Sequence, residues 1–465
     1  MSSAIVRAGL VLTTANVVGQ ASSLFRNLLL AYFLGAAEMG LAAALILVVS
    51  FQNVLTDLAV NQLVVQSPSS DESSFRETLQ LIELARGGLS AILVYFTAPF
   101  VSALFLMPDI ESSIQLVAFV PLLGGMKNLG VQYATRTHNY VPSALVIAIP
   151  QLVALVSILP LLQVLTDHRA AAYAYLLQAV VAAIVAYATS PISFRISFHR
   201  DHLPEILSFG VPLLANGVLL ALCLQGDRII VASSLSSEDL GIYSMAALVA
   251  IHTSKLIKSV LDRFYLAELS RRFAKGGITQ ADAHQTNEVY CAVGGAMFLG
   301  FVIFSQTVSS VLFTSGYEGI GVVLLLLGVA HAIRSMRAAP TICAVASAET
   351  QTVAWSNLMR LGFLLVTAYI AFRTSSLVWI SFSCVIAEVL VLIYVDCRVS
   401  KKLSFSHPMM VGPLFMVAFY SLSALFLLRF LSLQDDFLIF FQVALFAFFL
   451  SLIVLSLPKA RKVFK

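Results

Sequence analysis

Runs of about 20 or more apolar residues, each long enough to cross a hydrocarbon core of roughly 30 Å, follow one another along this chain, parted only by short polar breaks. The pattern predicts spans near residues 9–34, 40–62, 79–106, 113–133, 143–163 and 170–192. After a basic break come further spans near 207–233, 240–262, 288–313, 320–346, 354–372 and 377–396. Two more near 409–430 and 437–457 bring the number to about fourteen. The expected fold class is all-α: a polytopic membrane protein with two six-helix lobes, residues 1–198 and 199–396, and a C-terminal helix pair, residues 397–465.

Composition strengthens this reading. Of the 465 residues 59% are hydrophobic and 11% charged, and the mean hydropathy of +0.92 excludes a soluble surface. Cys223, Cys291, Cys343, Cys384 and Cys397 lie in or beside apolar runs, with no CxxC pair or histidine cluster, so no metal or cofactor is expected. The net charge of +4 calls for no nucleic-acid partner. Arg7 and the apolar run after it resemble a secretory signal, but no Ala-x-Ala-like site follows and a second span comes at once, so the first helix is expected to be retained.

The cations fall on one side. Arg76, Arg136, Arg195, Arg200, Arg263, Arg271, Arg272, Lys275, Arg398, Lys401 and Lys402 sit in alternate breaks, whereas GAAEM, MPDIES, SSLSSED and TSGYEG hold almost none. Basic residues resist translocation, so both termini are expected in the cytoplasm of a bacterial inner-membrane protein. The breaks on the opposite side are too short to build a catalytic site at the water boundary, which argues against a glycosyltransferase or polymerase.

An internal duplication is legible. FLGAAEMGLAA at 33–43 aligns with SLSSEDLGIYS at 234–244, Leu34 on Leu235, Glu38 on Asp239 and Gly40 on Gly241, with a common offset of 201 residues. Parallel repeats of this kind are a plan of secondary transporters, with function between the halves.

The segment FGVPLLANGVLLALCLQGDRIIVASSLSSEDLGIYSMAALV, with its Asp227-Arg228 pair, acidic Glu238-Asp239 turn and Gly241-Ile242-Tyr243-Ser244, resembles the seventh and eighth spans of Wzx-type polysaccharide flippases. LFRNLLLAYFLGAAEMG, followed by LTDLAVNQLVVQ, resembles the first hairpin of that family, which belongs to the multidrug, oligosaccharidyl-lipid and polysaccharide exporter superfamily; Ala59 stands where a glycine is usual. The resemblance implies alternating access by two lobes and no enzymatic activity. The implied cargo is an undecaprenyl-pyrophosphate-linked oligosaccharide, carried to the periplasm for O-antigen lipopolysaccharide or exopolysaccharide. Membrane lipid, a polysaccharide polymerase and a chain-length regulator are the further partners it implies. A lipid II flippase and a cation-coupled multidrug exporter are the alternatives within the superfamily, the latter disfavoured by the lack of an acidic cluster in the first lobe.

A charge at mid-bilayer costs about 2.5–3.5 kcal/mol on insertion scales, so it faces a cavity, finds a partner or reaches the interface. Arg26 lies roughly 13 Å from the outer end of its span and Arg334 roughly 21 Å. His331, Arg334 and Arg337 recur every three residues as one helical stripe. Arginine forks suit bidentate phosphate contacts, so Arg26, Arg334 and Arg337, with Lys127 and Arg228, are expected to engage a pyrophosphate. Arg86, Lys255, Lys258 and Arg360 are expected to snorkel to the inner interface. Asp227 and Arg228 point about 100° apart and are each expected to pair with another helix. Asp57, Asp227 and Glu388 are the candidate ion-coupling acids, Glu388 the deepest. Pro121, Pro150, Pro160, Pro212 and Pro340 are expected to kink their helices.

Overall fold

The computed structural model describes residues 3–313 and 316–404, together with Gln442, Leu445 and Phe446. The expected pair of C-terminal spans lies outside the described residues apart from those three. The chain divides into two compact units, Met1–Gly241 and Ile242–Lys465.

The first unit opens with α1 (Ser3–Thr56), 54 residues broken at Gly35, whose φ of 76° and ψ of 175° only glycine adopts readily. A straight helix of that length would run about 80 Å, so the break turns one helix into two crossings. After α1 come α2 (Val60–Gln66), α3 (Ser73–Leu104), α4 (Glu111–Val117), α5 (Phe119–Gly125), α6 (Gly130–Arg136), α7 (Val141–Val164), α8 (Arg169–Thr189) and α9 (Leu203–Ser234). Helix α1 packs on α7, α8 and α9. Helix α8 turns an alanine face inward, including Ala171, Ala174, Ala182 and Ala186; small side chains let helix backbones approach where lipid offers no hydrophobic driving force.

Helix α10 (Ser237–Ala274) begins in the first unit and continues into the second, followed by α11 (Gln280–Leu312), α12 (Ile320–Met336), α13 (Ala338–Ala346), α14 (Thr350–Thr374) and α15 (Leu377–Lys402). Helix α12 packs on α11 and α15, and α14 on α15. Among the described residues nine helices are long and apolar enough to cross a membrane, or ten if the pair Pro108–Gly125 and Gly130–Arg136, bent by 47°, counts as one span. With α1 divided at Gly35 and α10, which is not among these nine and carries Lys255, Lys258, Asp262 and Arg263 in its second half, the described helices can be read as the two sets of six expected from the sequence.

The duplicated segments correspond in structure. The first breaks at Gly35, and its equivalent breaks between Leu235 and the start of α10. Within the first unit the two meet: a Cβ on Gly40 would overlap the carbonyl oxygen of Ser237, and one on Gly241 that of Ala36.

The fourth span of each set is also broken. Pro121 cannot donate an amide to Val117, where α4 ends, and Pro340 cannot donate one to Met336, where α12 ends. Pro150, Pro160 and Pro212 by contrast lie inside helices that run on through them.

Candidate functional site

Two polar sites are built into the apolar bundle, one in each unit. In the second, α12 ends at a turn carrying Arg334 and Arg337, and cations at a helix C-terminus oppose the negative end of its dipole. Helix α15 delivers Glu388, 2% exposed, to the same place, and α14 delivers Arg360, 8% exposed. Arg334 holds Oε1 of Glu388 through Nη2 at 2.6 Å and Nε at 2.8 Å. Arg360 Nη2 reaches the same oxygen at 3.0 Å, and Arg337 Nε lies 3.4 Å from Oε2. Three guanidiniums thus converge on the carboxylate of Glu388. Beside it Lys258 approaches Asp262 at 3.5 Å, and Tyr290 donates to the same aspartate at 2.7 Å.

In the first unit a cavity of about 440 Å³ is walled by α1, α2, α3, α7, α8 and the broken segment α5–α6. Its charged lining is Asp57, Glu83, Arg86 and Lys127. Glu83 and Arg86 pair at 2.7 Å, and Arg86 Nη1 donates to Thr56 Oγ1 at 3.3 Å. Asp57 Oδ1 accepts the Ala59 amide at 2.8 Å in the turn between α1 and α2. Ala59 itself takes φ 54°, ψ 31°, left-handed backbone that glycine would enter without strain.

Arg26, 1% exposed, is packed behind this cavity. Its Nη1 donates to Gln178 Oε1 at 2.6 Å and to Gln151 Oε1 at 3.4 Å, and its guanidinium lies 4.5 Å from the centre of the Tyr175 ring. Among the described residues no carboxylate stands within ion-pair distance of it. Amides and a ring face do the work of a counterion here, a cation–π contact gaining strength where water is excluded.

A family model described as polysaccharide biosynthesis protein matches residues 29–322, well over half of the chain. The chain belongs to this family. No curated protein matches the sequence. Among solved structures, the lipid II flippase MurJ in an inward closed conformation is 14% identical, covers 99% of this chain and 100% of its own, and has a TM-score of 0.78. An inward-facing multidrug resistance MATE family transporter of the MOP superfamily is 13% identical over 84% of this chain and 96% of its own, with a TM-score of 0.63. A MOP superfamily transporter from Pyrococcus furiosus, described by the reversed polarity of its binding pocket, is 15% identical over 84% of this chain and 95% of its own, with a TM-score of 0.52. The fold of this polysaccharide biosynthesis family member is that of the MOP transporters, an all-helical multi-pass membrane fold.

The structure brings Arg334, Arg337 and Glu388 together, so that the deepest candidate acid is the counterion of two candidate phosphate ligands. Asp57 and Lys127 share the first cavity. On α9 the Asp227 Oδ1 accepts the Arg228 amide at 2.9 Å, and neither residue lines the first-unit cavity. Sequence reasoning assigned Arg360 to the interface, whereas it is buried against Glu388. It passed over Glu83 entirely, although an acid three residues before a basic one on an apolar helix is a signal for a buried pair.

Proposed function

We propose that this protein is a flippase that moves an undecaprenyl-pyrophosphate-linked oligosaccharide from the cytoplasmic to the periplasmic leaflet of a bacterial inner membrane, for O-antigen or exopolysaccharide assembly. One observation carries the reading: the convergence of Arg334, Arg337 and Arg360 on Glu388. A carboxylate shared three ways keeps the guanidinium forks gathered while leaving the cluster attractive to an anion of higher charge. Opposite unit charges 4 Å apart attract by about 4 kcal/mol at an effective dielectric near 20, so two or three forks offset the desolvation of a pyrophosphate without trapping it.

Both termini lie in the cytoplasm in this proposal, since the cation-rich breaks face the side that resists translocation. Arg228 supplies a further cation for the carrier, Lys127 lies in the charge-balanced first-unit cavity, and Arg26, turned into helix packing, holds Tyr175 and Gln178 in the cavity wall. Asp57, Asp227 and Glu388 are the acids through which an ion gradient would couple. A polymerase and a chain-length regulator would act on the delivered repeat units.

The test is a deletion strain. The expected result is accumulation of single undecaprenyl-linked repeat units inside the cell and loss of surface polysaccharide, restored by the wild-type chain but not by Arg334→Ala with Arg360→Ala. Loss of viability with accumulated lipid II would favour the peptidoglycan precursor as cargo. Normal surface polysaccharide in the deletion strain would refute the proposal.

A further inference from the structure

The first-unit cavity has a chemistry unlike the arginine cluster. Its charges balance, Asp57 and Glu83 against Arg86 and Lys127, so it offers a polyanion no net attraction. Amides dominate the rest of its polar lining. Asn53 projects from α1, Asn61 from α2 and Gln132 from α6, and among the described residues none of these three side chains has a hydrogen-bond partner within the chain. Other polar walls of the cavity are already fastened. Asn128 donates to the Ile192 carbonyl at 2.9 Å and accepts from the Gly130 amide at 2.8 Å, and Gln178 is held by Arg26. The unpartnered amides, Asn53 and Gln132 partly buried and Asn61 exposed, thus line a cavity whose other amides are already tied down.

A neutral array of paired donors and acceptors matches a ligand rich in hydroxyl groups, each of which both donates and accepts. A volume of about 440 Å³ falls at the lower end of small-ligand sites, enough for part of an oligosaccharide and too little for a whole repeat unit with its carrier. We infer that this cavity is a sugar-reading subsite, in which Asn53, Asn61 and Gln132 hydrogen-bond the hydroxyls of a glycan and set which oligosaccharides are accepted. This rests on the flippase reading above and deepens it. A drug-like cation would find no net negative charge there, and an acyl chain would have to desolvate the amides without replacing their hydrogen bonds.

The test uses the full-length protein in detergent with two separate probes: undecaprenyl pyrophosphate without sugar, and the organism's own repeat-unit oligosaccharide released from its carrier by mild acid. The wild type should bind both. Asn53→Leu and Gln132→Leu should each weaken oligosaccharide binding about five- to tenfold and leave undecaprenyl pyrophosphate binding unchanged. Gln132→Ala, which removes the amide without adding bulk, should show the same selective loss of oligosaccharide binding, and it decides the test where the leucine form folds poorly. Undiminished oligosaccharide binding in these variants, or a wild type that binds only the carrier, would overturn the subsite while leaving the flippase reading intact. A wild type that binds neither probe would overturn both.

Discussion

Replacing Glu388 with glutamine keeps the shape of the side chain and removes one negative charge from a nearly dry site. Oε1 now takes three contacts, from Arg334 at 2.6 and 2.8 Å and from Arg360 at 3.0 Å, and Oε2 faces Arg337 at 3.4 Å. In Glu388→Gln the amide oxygen can still accept, but its NH₂ must point at a guanidinium, and the buried Arg337 and Arg360 and the partly buried Arg334 lose their common counterion. Breaking a buried ion pair by removing one partner costs about 3–5 kcal/mol because the remaining charge is left uncompensated. Arg334→Gln is a milder change. It deletes one charge-assisted pairing worth about 1.5–3 kcal/mol, yet Glu388 keeps two cations. The sign of the difference therefore reports the excess of positive charge: Glu388→Gln should be the more destabilised of the two. Thermal unfolding of the purified protein in detergent measures it. Inorganic pyrophosphate should raise the midpoint of Glu388→Gln more than that of the wild type, because the anion takes the vacated role. Equal stability of Glu388→Gln and wild type, or a larger loss in Arg334→Gln, would refute an over-cationic cluster.

Ala59→Gly should stabilise the protein by about 0.5–1 kcal/mol, the relief of left-handed backbone strain less the entropy of the freer unfolded chain, read from the same unfolding midpoints. Gly40→Ala and Gly241→Ala should each lose about 1–3 kcal/mol, since the added Cβ meets backbone carbonyls that cannot rotate away; unchanged midpoints would remove the crossing as a close contact. Near the end of α10, the Arg272 hydrogen bond holds the Glu268 carboxyl below the usual carboxylate range, with Arg271 adding to it. That contribution is present above the ordinary carboxylate pKa and is lost as pH falls through the lowered one, so Glu268→Gln should differ from wild type at neutral pH and converge with it in acid or in high salt. Ser67→Ala should loosen the connection between α2 and α3 from the start of α9, where Glu205 accepts from Ser67 at 2.5 Å and Ser69 at 2.9 Å; faster proteolysis within that connection checks it.

Hydropathy and a short repeated motif carried most of the architecture. The spans, their grouping by six and the offset linking Gly40 to Gly241 all depend on local composition, which a linear reading captures. Pro121 and Pro340 could be flagged, but not told apart from Pro150, Pro160 and Pro212. Which prolines a helix runs through depends on packing that a linear reading does not contain. Depth along a span identified Arg26 and Arg334 as cations needing partners. It could not supply those partners, because Gln151 and Gln178 lie over a hundred residues from Arg26, and Arg360 meets Glu388 only once α14 packs on α15. Arg360 was misread for the same reason: closeness to a span end is one coordinate, and burial depends on the helix beside it.

A duplicated chain need not keep duplicate chemistry, and the fourth span of each set shows how the two can diverge. A proline interrupts its hydrogen-bond ladder in both, at Ala118 and at Arg337, and the polar side chains nearby are set in the membrane interior, where they line a cavity or are buried in protein. In the first unit the segment after the break carries Lys127, Asn128 and Gln132, and the surrounding acids and amides make a balanced polar cavity. In the second, the end of α12 carries Arg334 and Arg337, and both pair with the Glu388 carboxylate that Arg360 also shares. A carrier lipid bearing both a pyrophosphate and a string of sugars presents these same two chemistries in one molecule. If the two sites evolved for that cargo, exchanging Lys127 for an acid should disturb sugar recognition and leave the response of the Arg334 cluster to inorganic pyrophosphate unaltered. A Lys127→Glu protein whose pyrophosphate-induced shift in unfolding midpoint vanished would mean that the two sites act as a single anion trap, and the division of labour would fail.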